Sequence, residues 1–382
     1  MSELNIVIGT TVAIKKEELE DIFVRLRGMG YTIFGPKVKD HTIVHMPLKR
    51  VSELPIGYSC QQDAGKYTLI QNGQKNYFDV ATGPQSWKQY FFPPKIELMK
   101  FHKGNGNWSV VENEEDPPHY AMVGVRPCDL AAIETQDKIF LREGWSDPIY
   151  RGRRENVFII AVNCLQPCGT GFCASMGTGP DARSGFDLCL TELKKNFLVE
   201  VGSEAGRMAL SDEAIPWIPA SAFLLQTANK SLEAAREKMG RDLPNPDDLE
   251  TQLLENLDHP RWEDVAGRCL SCASCTQVCP TCFCWDSNDH TLLPGDTVIR
   301  ERTWDSCFNP DYSYVFGGNT RPNTKSRYRQ WLTHKFASWQ EQFGGSGCTG
   351  CGRCITWCPA EIDHVEELGI IRNLSIREEE LS

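Results

Sequence analysis

The sequence predicts an α+β protein built from a β-rich N-terminal domain over 1–115, a central α/β domain over 116–226 and an α-helical domain over 227–382. Three observations predict it. Short strand-like runs precede residue 115, two apolar runs bracket a helical stretch in the middle, and all of the 17 cysteines except Cys60 fall in the last two segments. At 382 residues, two or three domains are expected.

In the first segment Leu19, Ile22, Phe23 and Leu26 share one helical face, and Gly28 with Gly30 supplies the stop. Strands are expected over 31–34 and 42–46. The Asn72-Gly73 pair between the runs 67–70 and 77–80 predicts a hairpin. Cys60 reads as a structural thiol.

The middle segment offers apolar runs over 119–125 and 156–162, suited to buried parallel strands, with a crossover helix over 129–141 capped by Asp129. Ligands gather at the carboxyl ends of such strands. There the sequence places Arg126-Pro127-Cys128 and Asn163-Cys164, and Cys168 and Cys173 follow in a glycine-rich turn. Cys128, Cys164, Cys168 and Cys173 are thus candidate donors to a metal centre, against the alternatives of buried thiols or one zinc ion. Cys189 reads as core packing.

Two copies of C-x2-C-x2-C-x3-C-P mark the third segment: Cys269, Cys272, Cys275, Cys279-Pro280, and Cys348, Cys351, Cys354, Cys358-Pro359. This is the bacterial ferredoxin run, in which three thiolates hold one [4Fe–4S] cube and the fourth reaches to the other. The crossed assignment puts Cys269, Cys272, Cys275 and Cys358 on cluster 1, and Cys348, Cys351, Cys354 and Cys279 on cluster 2. Zinc uses four ligands and often histidine, so two runs each closed by Cys-Pro favour iron–sulfur. The long stretch between the runs leaves room for helices. Asn245-Pro246 opens one carrying Leu249, Leu253, Leu254 and Leu257, and 326–343 opens on Ser326 as another, which predicts an α-helical dicluster ferredoxin domain. With two cubes in place, the four thiols of the middle segment read as a third [4Fe–4S] cluster. Cys282, Cys284 and Cys307 read as core thiols or as thiols lying against a cluster.

Composition narrows the function classes. A net charge of −11 argues against nucleic acid. No apolar run approaches the roughly 20 residues of a membrane span, and the opening residues lack a basic-plus-apolar leader, so a cytoplasmic, thiol-preserving location is expected. Gly345 to Gly350 satisfies G-x-G-x-x-G but overlaps the second cysteine run and follows no apolar strand. The histidines are scattered, and no flavin, nicotinamide or hydrolytic centre is evident.

The stretches Val125-Arg126-Pro127-Cys128-Asp129-Leu130, Asn163-Cys164, Ser175-Met176-Gly177-Thr178-Gly179-Pro180, Gly185-Phe186-Asp187, Cys279-Pro280-Thr281-Cys282-Phe283-Cys284 and Gly350-Cys351-Gly352-Arg353-Cys354 together carry a resemblance. They are similar to the iron–sulfur β subunits of cytoplasmic NAD(P)-linked nickel–iron hydrogenases, or sulfhydrogenases, and to the A subunit of anaerobic sulfite reductase. The resemblance runs from about residue 50 to about 368, and Trp304 to Cys307 with Tyr328 to Leu332 leans to the hydrogenase branch. It implies an electron-transfer subunit without catalysis of its own. Its partners would be a flavin- and NAD(P)-binding reductase subunit and the small and large subunits of a nickel–iron hydrogenase. A siroheme sulfite reductase is the competing partner, and a structural or regulatory iron–sulfur protein is the competing class. One departure stands out: the family's C-F-C triplet is here Gly171-Phe172-Cys173, with a cysteine moved to Cys168.

Overall fold

The computed structural model describes residues 6–81, 83–104, 106–112, 116–211, 215–293 and 295–373. Its centre is an eight-stranded sheet in the order Ile218–Pro219, Thr11–Lys15, Asn196–Val201, Leu188–Glu192, Val157–Val162, Tyr120–Val125, Thr32–Lys39, Thr42–Pro47. The four inner strands from Leu188–Glu192 to Thr32–Lys39 run parallel, and the flanking ladders are antiparallel. Because side chains alternate across a strand, Val123 and Ile160 face one core and Met122 and Ile159 the other. The first face is covered by the helix Leu19–Gly28, whose Leu19, Ile22, Phe23 and Leu26 are all fully buried. Each such side chain contributes about 2 kcal/mol. The second face is covered by the helix Pro127–Phe140 through Leu130, Ile133 and Phe140.

Helix Pro127–Phe140 differs from expectation at its start. Proline occupies the first turn after Arg126, and Asp129 lies inside the helix, where it pairs with Arg353 instead of capping. The Asp129 side chain is oriented to the buried Arg353 guanidinium instead of back to the helix end.

The expected hairpin over 67–80 is displaced. Strand Lys66–Gln71 pairs backwards with Tyr58–Asp63 around Gly65, whose φ of +67° suits glycine. The amides of Tyr77 and Phe78 are taken by the Glu192 carboxylate at 2.8 and 2.9 Å, so they are not free for a ladder.

Hydrogen-bonded ladders cross the expected segment boundaries, the first of which falls beside residues 113–115, outside the described residues. Thr11–Lys15, from the first segment, pairs with Asn196–Val201 from the second. A further antiparallel sheet sets Lys95–Gly104 beside Thr297–Trp304, joining first to third. Apart from the strand Trp285–Leu292 in that sheet and a short ladder of Tyr314–Val315 with Gly318–Asn319, the remaining regular structure of the third segment is helical, packed around Leu253, Trp262, Tyr328, Trp331 and Leu368. Asn323 caps the helix Thr324–Thr333 by accepting from the Ser326 amide at 2.9 Å, three residues before the expected start. No helix among the described residues is long and apolar enough to cross a membrane.

Candidate metal centres

The first run starts where the helix Arg261–Arg268 ends at Cys269. Ser271 and Ala273 adopt left-handed backbone, with φ of +50° and +62°, and curl the loop before the short helix Ser274–Gln277. One cavity is lined by Cys269, Cys272, Cys275 and, from the other run, Cys358. Its wall is mostly apolar, with Leu270, Phe308, Trp331 and Ile362, though Ser274, Tyr328 and His364 also line it, and Cys354 stands at it as well. Burial pushes the Cys275 thiol well above its ordinary range, and the neighbouring thiols add to the shift. Cys272 is exposed, so this centre meets the surface.

The second run turns on two glycines. Gly350 and Gly352 have φ of +65° and +74°, and a Cβ on Gly352 would sit 2.4 Å from the Thr170 carbonyl oxygen. Only glycine lets the run approach the 168–173 turn this closely. Burial raises Cys354 well above its ordinary value, and the charges of Cys351, Cys279 and Cys348 add to the shift. Burial likewise lifts Cys348 to about 12. Cys279 thus acts electrostatically on Cys348, Cys351 and Cys354 of the second run, and on Cys275 of the first.

A second cavity is lined by Cys128, Cys164, Cys168 and Cys173, with Cys351 and Met239. All four thiols expected at the strand ends meet there, the displaced Cys168 included. Cys128 comes from the first turn of helix Pro127–Phe140, and Cys164 from the turn after strand Val157–Val162. The turn is fastened to the second run: Phe172 N donates to the Gly350 carbonyl at 2.8 Å, and Thr178 Oγ1 to that of Thr349 at 2.6 Å. Arg126 also lines this cavity. Its Nη2 donates to the Phe78 and Val80 carbonyls, while Nη1 is buried with no hydrogen-bond partner among the described residues. An orphaned cationic donor facing four thiols fits a bound group of net negative charge.

Sequence reasoning missed two groups. The first is Arg126 in that role; the second is Lys335, which is 5% exposed and whose Nζ lies 3.3 Å from Cys279 Sγ, 3.0 Å from Thr281 Oγ1 and 3.3 Å from the Gly347 carbonyl. Burial alone would depress its ammonium, but Cys279, Cys282 and Cys348 outweigh that and hold it well above its ordinary value. A lysine in a helical stretch carries no sequence signal of such a site. Cys284 and Cys307 are neighbours in the same region. Hydrogen bonding from Cys307 outweighs burial and brings Cys284 down to about 6.

Five thiols line each of the two cavities, and thiolates in fours are the set that suits a [4Fe–4S] cube. Among the described residues, no three His, Cys, Asp or Glu side chains converge on the position of a single metal ion.

Comparison with known proteins agrees with this chemistry. Residues 268–362 match the model of a 4Fe-4S dicluster domain. No solved structure matches the chain. The β subunit of sulfhydrogenase 2 from Pyrococcus furiosus is 30% identical over 364 residues, which cover 94% of this chain and 98% of that protein. With a 4Fe-4S dicluster domain match over its two cysteine runs and a likeness spanning nearly its whole length, the chain belongs to the family of iron–sulfur β subunits of sulfhydrogenases.

Proposed function

We propose that the chain is the electron-relay subunit of a multisubunit hydrogenase, passing single electrons through three [4Fe–4S] clusters. The proposed ligands are Cys269, Cys272, Cys275 and Cys358 for cluster 1, Cys348, Cys351, Cys354 and Cys279 for cluster 2, and Cys128, Cys164, Cys168 and Cys173 for cluster 3. A bound [4Fe–4S] cluster supplies one-electron exchange. The protein supplies placement. The observation that carries the reading is that the thiol groups overlap: Cys354, of the second group, lines the first cavity, and Cys351, of the same group, lines the second cavity, that of the third group. The three centres therefore form one unbroken file, as a conduit requires and a structural brace does not. In this reading the segment from about 227 is the dicluster domain, and the central α/β unit contributes the third site.

Within the file each residue has a task. The buried Phe308 and Trp331 shield the inner side of the first centre, and Arg126 offsets charge at the third. The ends of the file face a flavin- and NAD(P)-binding reductase subunit and the small and large subunits of a nickel–iron hydrogenase. The relative's name as a sulfhydrogenase subunit favours these partners over a siroheme reductase. The setting is the cytoplasm, with no role for nucleic acid or membrane.

The test is to isolate the native complex without oxygen, identify the companion chains by mass spectrometry and count iron in the separated subunit. Hydrogenase subunits and about twelve iron atoms per chain are expected. A siroheme-bearing partner would overturn the assignment of partners. A fully loaded chain with about eight iron atoms would remove the third cluster.

A further inference from the structure

We propose that Lys335 sets the reduction potential of cluster 2, raising it by holding a buried ammonium against the sulfur of Cys279. The proposal rests on the relay reading above, since it takes Cys279 as a ligand of that cluster. Lys335 lies in the helical turn His334–Ser338, and its three N–H donors meet three acceptors: Cys279 Sγ, Thr281 Oγ1 and the Gly347 carbonyl. None of these is a carboxylate. A lysine taken out of water usually pairs with an acid or gives up its proton. Here its hydrogen bonds go to a candidate ligand and to groups around it, so the positive charge is left to balance charge on the cluster.

Reduction adds one electron and breaks no bond. The reduced cluster is more negative, so a fixed cation at hydrogen-bond distance from its ligand stabilises it over the oxidised form, and burial weakens the screening. Cluster 1 has no such partner, because no lysine or arginine lines its cavity. Thr281 completes the arrangement, with its Oγ1 2.7 Å from the Gly347 carbonyl and 3.2 Å from Cys279 Sγ. Electrons entering at cluster 1 would thus be drawn toward cluster 2.

The experiment is an EPR-monitored redox titration of the full chain in its complex, with dithionite as reductant. Wild type is compared with Lys335→Arg, Lys335→Gln and Lys335→Met, and Cys279→Ser marks which signal belongs to cluster 2. The marked signal should move to lower potential in Lys335→Gln and further in Lys335→Met, hold near the wild-type value in Lys335→Arg, and leave cluster 1 in place. An unchanged potential, an equal shift of every cluster, or loss of cluster 2 from all three lysine variants would overturn the proposal. If Cys279→Ser disturbs only the signal that Cys269→Ala disturbs, the crossed ligation fails and the proposal falls with it. That signature differs from an intact cluster 2 indifferent to Lys335.

Discussion

Asp129 and Arg353 are each about as buried as a side chain can be, at 1% exposure, and their charged ends lie 2.8 Å apart. One stands in the first turn of the helix that presents Cys128, the other between Cys351 and Cys354. Their pairing thus fixes the third centre against the second. Removing one partner from a buried pair strands the other charge, at a cost of about 3–5 kcal/mol, whereas replacing both with apolar residues can be neutral. Asp129→Ala should therefore lower the midpoint of anaerobic thermal unfolding strongly, and Asp129→Leu combined with Arg353→Met should recover most of the loss. Equal damage from the single and double variants would show that packing, not charge, holds this contact. At this scale the thiols were legible because their spacing is local. Arg126 and Lys335 were not, since what distinguishes them is burial beside thiols far away in sequence.

At the scale of elements, periodic segments declared themselves. Helix Leu19–Gly28 and strands Tyr120–Val125 and Val157–Val162 lie close to where their apolar spacing put them. What failed were features decided by remote partners. Glu192 reaches across more than a hundred residues to occupy the Tyr77 and Phe78 amides, and no local pattern around Asn72-Gly73 reports that. The pairing of Lys95–Gly104 with Thr297–Trp304 is equally non-local. The contact between the 168–173 turn and the second run belongs to this class, and it depends on Gly352. A methyl group there would meet the Thr170 carbonyl and also burden a φ of +74°. Backbone strain of this kind costs about 1–3 kcal/mol before the clash is counted. Gly352→Ala should reduce the iron-bound signals of clusters 2 and 3 while that of cluster 1 persists. Loss of cluster 1 alone, followed by EPR of the purified variant, would contradict the placement of this contact.

Across the whole molecule the proposed file of thiols runs through the joint between the large sheet and the helical region. The sheet contributes Cys128 and Cys164 at its strand ends, and the helical region contributes both cysteine runs. Cys351 is the link, being a proposed ligand of cluster 2 that also lines the cavity of Cys128, Cys164, Cys168 and Cys173. If current passes through the centres in order, disabling the middle one must separate the ends without removing them. In the assembled complex, Cys351→Ser should abolish hydrogen-dependent reduction of NAD(P), while hydrogen-dependent reduction of a dye by the hydrogenase subunits continues. Freeze-quenched EPR after mixing with hydrogen should then show reduction on one side of the break only. Reduction of clusters 1 and 3 at the wild-type rate in this variant would mean that electrons bypass the middle of the file, and the linear order would have to be abandoned.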